Sequence, residues 1–185
     1  MTPDLSYPYF DRLAAWQRQR PLWLAGGLLG VFMEVFSVLY FQVHLGLRPC
    51  LYCIYIREAT LLIGLGGLLA ALWPRVLRFI GYPISLTGSF IALFFAFKLE
   101  TQTVNALYWP EAYSSCGIRV GYKFGRYLAQ KWPTHFSPLG QCGIDSNWRF
   151  LSFNQAEILI IIYLLALIGL LLGLSSNFKP RARGL

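Results

Sequence analysis

Charge is what this sequence has least of. Only 13% of its 185 residues are Asp, Glu, Lys or Arg, about half the share of an average soluble domain, whereas 56% are hydrophobic and 17% aromatic. That composition excludes an ordinary soluble domain and implies a bilayer. Acidic residues are scarcer still, eight against sixteen Lys and Arg, for a formal net charge of +8. Such a balance could suit nucleic acid, but the cations sit at the ends of apolar runs and in one loop, so membrane topology accounts for them and no nucleic-acid partner is expected. Arg12, Arg18 and Arg20 precede an apolar run too long for a signal core, with no small-x-small cleavage site after it, so the first run is expected to remain as an anchor. A second globular domain has no room, because four spans of about 20 residues each use nearly half the chain. Residues 1–185 read as a single membrane domain.

The apolar runs cover 22–43, 50–73, 79–97 and 156–174. Each is long enough, at about 1.5 Å per residue, to cross a hydrocarbon core of about 30 Å. The expected fold is therefore all-α: a four-transmembrane-helix bundle with a short loop at 44–49 and a long one at 98–155. Pro83 falls near the entrance of the third run, where a missing amide donor costs a helix least, and Lys98 and Glu100 mark its expected exit. Four spans put both termini on one side. Arg12, Arg18, Arg20, Arg75, Arg78, Lys179, Arg181 and Arg183 share that side, and the positive-inside rule makes it cytoplasmic. Arg119, Lys123, Arg126, Lys131 and Arg149 in the long loop weigh the other way.

Cysteine is rare, and all four copies fall on the side opposite the termini. Cys50 and Cys53 stand where the second run begins, and Cys116 and Cys142 lie in the long loop. In a bacterium that side is the periplasm, where disulfides form and persist. Pro49 just ahead of Cys50 suits the opening turn of a helix, and cysteines three apart on such a turn share a face near the positive end of the dipole, which favours thiolate over thiol. Arg57, four residues after Cys53, projects from the same face at a depth where a cation requires a partner. A thiolate or a reduced quinone oxygen would serve; Glu58, about 100° away on the helix, is the plainer alternative.

The four cysteines admit other readings. A zinc site is one, although Cys116 and Cys142 lack the close spacing of a zinc knuckle and an oxidising compartment favours disulfides, so no metal is expected. A Cys116–Cys142 bridge could also be a structural staple worth about 3–4 kcal/mol, and the whole protein a four-span scaffold with purely structural loop disulfides. Within the loop, Arg119, Lys123, Arg126 and Gln130 recur at helical spacing beside Tyr122, Phe124, Leu128 and Trp132, as in a short interfacial helix. The alternation Ile118, Val120, Tyr122, Phe124 fits a strand equally well.

The string Arg48-Pro49-Cys50-Leu51-Tyr52-Cys53-Ile54-Tyr55-Ile56-Arg57, with Cys116, Cys142 and four spans, closely resembles the bacterial disulfide bond formation protein B (DsbB) family over nearly the whole chain. The resemblance implies a thiol:quinone oxidoreductase of the bacterial inner membrane that reoxidises a periplasmic, thioredoxin-fold, DsbA-like oxidase and passes the electrons to ubiquinone or menaquinone. Carried over by position, Cys116 is attacked by the partner, Cys142 is released and exchanges with Cys50, and Cys53 donates to a quinone beside Arg57. The chain departs from the family where members often carry a histidine after the third span; Thr101, Gln102 and Thr103 stand here instead. Glu34 matches an acidic residue that the family carries in span one, as a proton or hydrogen-bond partner or as a structural group. His44 and His135 read as surface histidines.

Overall fold

The computed structural model describes residues 19–112, 116, 117, 119–144 and 148–178. Arg12, Arg18, Ile118, Lys179, Arg181 and Arg183 lie outside them. Among the described residues, four helices are long and apolar enough to cross a membrane: Arg20–His44, Leu51–Leu72, Arg78–Tyr108 and Gln155–Ser175. In chain order α1 is Arg20–Phe36, continued by a π-helical segment Ser37–His44, α2 is Leu51–Leu72 and α3 is Arg78–Tyr108. The loop then carries α4 (Lys123–Lys131), α5 (Pro133–Phe136) and a small antiparallel hairpin of β1 (Arg149–Phe150) and β2 (Phe153–Asn154) before α6 (Gln155–Phe178). The protein is a four-span helical membrane protein. Leucines and phenylalanines such as Leu28, Phe32, Phe90 and Leu165 face outward from it, as lipid contact requires.

Helix α2 is central, packed against both α1 and α3, while α6 packs on α3. Small residues let the backbones approach. A Cβ on Gly30 would stand 2.8 Å from the Gly64 Cα, and one on Gly67 would stand 2.8 Å from the Gly27 nitrogen. Between lipid-facing helices, where apolar transfer supplies little drive, such close crossings supply van der Waals contact.

The third helix does not stop at Phe97, as hydropathy suggests, but runs on through Lys98, Glu100 and Thr103 to Tyr108. No glycine or proline interrupts 98–109, so the helix outlasts the apolar run; hydropathy marks the membrane boundary, not the helix end. This extension is a post for the long loop. Leu99, fully buried, shares a core cluster with Cys50 and Cys142, and a Cβ on Gly143 would stand 2.6 Å from the Gln102 carbonyl oxygen. Gly143 also has φ +80°, a conformation glycine adopts without strain.

In the loop the helical spacing prevails over the strand alternation from Lys123 onward. Strand pairing occurs instead at Arg149–Asn154 and Phe150–Phe153. The hairpin leads directly into α6 through a reciprocal cap: the Glu157 amide donates to Asn154 Oδ1 and the Asn154 amide donates to Glu157 Oε2, both at 2.8 Å. This is a capping box built on Asn, and it fixes the angle at which the hairpin meets the bundle.

Candidate active site

Helix α2 begins one residue later than the apolar run, so Cys50 is its N-cap and Cys53 lies on its first turn. The Cys50 Sγ accepts a hydrogen bond from the Cys53 amide at 3.3 Å, taking the place of a serine or aspartate oxygen at a cap. The two sulfurs stand 2.6 Å apart and are unbridged. Cys116 and Cys142 are joined in a disulfide, and the Cys50 Sγ lies within 4.8 Å of both of their sulfurs. All four cysteines thus converge, with Cys50 at the junction. Two of the three sulfurs at that junction are bonded to each other, so Cys50 alone offers it a thiol in this state.

Two straps hold the loop over the cysteines. The amides of Leu139 and Gly140 both donate to the Pro49 carbonyl at 3.0 Å, and the Gly121 amide donates to the Tyr55 hydroxyl at 3.1 Å. Cys50 and Cys142 are fully buried as a result. Burial pushes the Cys50 thiol well above the ordinary cysteine value, and the hydrogen bond with the Cys53 side chain adds to the rise. At Cys50, therefore, desolvation outweighs the helix N-terminus that was expected to favour the thiolate.

Arg57 is buried at 6% exposure on the same face of α2. Its hydrogen bonds go to neither a cysteine nor Glu58. Nε and Nη2 donate to the Ser37 Oγ at 3.1 and 3.0 Å, Nη1 donates to the His135 carbonyl at 3.3 Å, and Nε lies 3.8 Å from Glu34 Oε1. Ser37 and Glu34 are three apart on span one, hence on one face, and the α1–α2 crossing delivers both to Arg57. His135 is half-buried and caps the guanidinium with its backbone, correcting its reading as a surface residue.

Cys53, Arg57 and Glu34 line a cavity of about 560 Å³ between span one, α2 and α6. Its walls are largely apolar, and its size falls within the range of cofactor pockets. The π-helical segment, whose wider turn re-aims side chains, carries Tyr40 and Phe41 into the wall. Trp148 meets them with ring centroids 6.2 and 5.2 Å away, held in place because its carbonyl accepts from the Gln155 amide at 2.9 Å. Deeper in the wall, Tyr163 and Thr60 share a hydrogen bond; the Thr60 hydroxyl donates to the Ile56 carbonyl, so the Tyr163 hydroxyl is the donor to Thr60.

The sequence reading did not single out Ser37, Tyr163, Thr60 or Trp148. Two of them leave a signal. Ser37 is a hydroxyl one turn after Glu34 in an apolar run, and Tyr163 is the sole polar group between Ile158 and Gly169. Trp148 leaves none, because its position depends on the hairpin.

A four-span membrane protein with a dithiol, a disulfide and a junction sulfur between them is a membrane-embedded dithiol–disulfide exchange protein. Residues 19–173 match the family described as Disulfide bond formation protein DsbB. The chain is 36% identical over 156 residues to the protein-disulfide oxidoreductase DsbI of Escherichia coli O1:K1 / APEC, covering 79% of this chain and 68% of that protein. It is 34% identical over 158 residues to the protein of the same name from Lelliottia amnigena, covering 79% and 69%, and 31% identical over 152 residues to that of Salmonella typhimurium strain LT2, covering 77% and 66%. This chain belongs to the DsbB family and is a protein-disulfide oxidoreductase of the membrane.

Proposed function

We propose that the protein reoxidises a periplasmic, DsbA-like thioredoxin-fold oxidase and passes the electrons to a membrane quinone, ubiquinone or menaquinone. The observation that carries this reading is the position of Cys50, within 4.8 Å of the loop disulfide on one side and 2.6 Å from Cys53 on the other, with Cys53 on the wall of the apolar cavity. A scaffold stapled by disulfides needs neither an unbridged dithiol at a helix cap nor a buried arginine beside it.

The chemistry proceeds by thiolate attack on disulfide sulfurs. A partner thiolate attacks the Cys116 Sγ, forms a mixed disulfide and releases Cys142 as the thiolate. Cys142 then attacks Cys50 of an oxidised Cys50–Cys53 pair and releases Cys53 as the thiolate. The second partner thiol attacks the mixed disulfide, the partner leaves oxidised, and the freed Cys116 thiolate attacks Cys142, closing the loop bridge and returning Cys50 as a thiol.

The residues around the cavity fit a quinone. The volume accommodates a ring, the walls suit an apolar tail, and Arg57 with Cys53 forms a polar end. A quinone bound there would accept two electrons and two protons. Arg57 would place positive charge at the ring oxygen and orient it toward Cys53. The topology that goes with this reading places both termini in the cytoplasm of a bacterial inner membrane and the cysteines at the periplasmic face, supported by Arg75 and Arg78 in and beside the short link between α2 and α3.

Thiol trapping on purified protein tests the proposal, using a reduced thioredoxin-like partner and a short-chain ubiquinone analogue. The expected result is partner oxidation that consumes quinone and requires all four cysteines, with a partner variant that lacks its second thiol accumulating as a mixed disulfide through Cys116. Oxidation that continues without Cys50 or Cys53, or without quinone, would sink it.

A further inference from the structure

Resting on the reading of the cavity as a quinone site, we propose that Glu34 is the general acid that protonates the reduced ring. Glu34 is the sole carboxyl among the described residues of the cavity wall. It lies 3.8 Å from Arg57 Nε, yet the hydrogen bonds of that guanidinium go to Ser37 and His135, so the carboxyl is held by charge and not tied up by donors.

The other titratable groups on the wall are poorly suited to the task. Arg57 and Arg48 supply positive charge and hydrogen-bond donors. The Tyr163 proton is committed to Thr60, whose own proton is committed to the Ile56 carbonyl. Tyr40 lies on the π-helical segment among aromatic rings. Cys53 supplies electrons. From α2, Glu58 lies within electrostatic reach of Glu34, with a buried Oε1 that has no hydrogen-bond partner, but it is not on the wall. Two carboxyls within electrostatic reach of each other then have the one guanidinium beside Glu34 to balance them. In an apolar setting that trio is neutral only if one carboxyl carries a proton, so a transferable proton is held beside the cavity.

The step balances. Oxidation of the Cys50–Cys53 dithiol forms one S–S bond and releases two electrons and two protons, and the quinone takes up all four as it becomes the quinol. Glu34 delivers one of those protons to the ring oxygen and recovers one from the dithiol, ending as it began.

The test uses the full chain with Glu34→Gln and Glu34→Asp. Affinity for a short-chain ubiquinone analogue is measured by quenching of tryptophan emission. Single-turnover oxidation of the Cys50–Cys53 dithiol by that quinone is measured over a pH series. Exchange of the loop disulfide with a thioredoxin-like dithiol serves as a control for folding. Wild type should show a bell-shaped profile: the acidic limb reports thiolate formation and the alkaline limb loss of the proton on the acid. Glu34→Gln should keep quinone affinity and partner exchange, lose the alkaline limb, and slow the quinone step about 100-fold or more. Glu34→Asp should retain the limb at reduced rate.

A Gln variant with the wild-type rate and both limbs overturns the proposal. So does one whose loss of rate is matched by loss of quinone affinity, which would make Glu34 a binding group. If Glu34→Gln does not fold, an Asp variant that binds quinone yet has no alkaline limb also overturns it. Wild-type protein that neither binds the quinone nor is oxidised by it would instead remove the cavity reading beneath the proposal.

Discussion

The backbone carbonyl of His135 accepts a hydrogen bond from the buried guanidinium of Arg57 at 3.3 Å, across 78 positions of sequence. His135 belongs to the segment between Cys116 and Cys142, and Arg57 to the wall of the cavity. The loop disulfide is therefore mechanically joined to the cation on the cavity wall, with Leu139 and Gly140 strapped to the Pro49 carbonyl beside it.

The first prediction concerns that strap. A bridge closing the 26-residue separation stabilises the closed loop by about 3–4 kcal/mol on the chain-entropy model. Cys116→Ser should release the segment locally without unfolding the bundle. Hydrogen exchange read by mass spectrometry should show faster exchange at peptides covering 133–140 and unchanged exchange in the cores of α2 and α3. Equal protection in both proteins would mean that the straps hold without the disulfide.

Arg57 is the second target. Replacing it with methionine removes the positive charge proposed to meet the quinone oxygen, and loss of one hydrogen bond from a charged group, about 1.5–3 kcal/mol, should raise the Michaelis constant for quinone about 10-fold to 100-fold. Thiol exchange between the partner and the loop disulfide should persist, because the guanidinium holds the loop only through the His135 carbonyl and the Leu139 and Gly140 amides still tie it to Pro49. Arg57→Lys keeps the charge but not the two-nitrogen contact with Ser37, and it should fall between the two. Unchanged quinone kinetics in Arg57→Met would remove Arg57 from the site.

Much of this was legible in the sequence, for identifiable reasons. Four spans follow from hydropathy, and the gathering of four cysteines at one end follows from span parity. The extension of α3 was not legible, because Leu99, Val104 and Leu107 are too scattered among Lys98, Glu100, Thr101, Gln102, Thr103 and Asn105 to continue the apolar run. The Arg57–Glu34 pair was half legible. Each residue stood out alone as a charge in an apolar run, but matching them requires the α1–α2 crossing, whose trace is the glycines at 27, 30, 64 and 67. The π-helical turn at Ser37–His44 has no residue signature at all, and with it the aromatic wall of Tyr40, Phe41 and Trp148 stayed out of view.

That crossing yields a third prediction. A methyl group at Gly30 meets the Gly64 backbone at 2.8 Å, and backbone cannot rotate away as a side chain would. Gly30→Ala should therefore force α1 and α2 apart and cost about 1–3 kcal/mol, despite the better helix propensity of alanine. Gly26, whose added Cβ meets nothing within 4 Å, is the control, and Gly26→Ala should be neutral or slightly stabilising. Thermal unfolding in detergent should rank Gly26→Ala above wild type or level with it, and Gly30→Ala below both. Because Glu34 and Ser37 ride on the displaced helix, Gly30→Ala should also weaken quinone binding.

The last prediction follows from the burial of Cys50. Its thiol is pushed well above the ordinary cysteine value by desolvation, so the folded protein favours the protonated form, and only the thiolate is a good nucleophile. Stability from this group is complete below the unfolded thiol value of about 8.5 and declines as pH rises through the higher folded value. Two measurements check the sign. Alkylation of Cys50 by a small reagent, followed by peptide mass spectrometry, should be slower at neutral pH than that of a free thiol and should accelerate only at alkaline pH. In parallel, the unfolding midpoint should fall as pH rises through the alkaline range, and Cys50→Ala should reduce that dependence. Rapid neutral-pH alkylation would mean that the loop opens often enough to hydrate Cys50, and the junction sulfur would then be gated by motion of the strap instead of by its protonation.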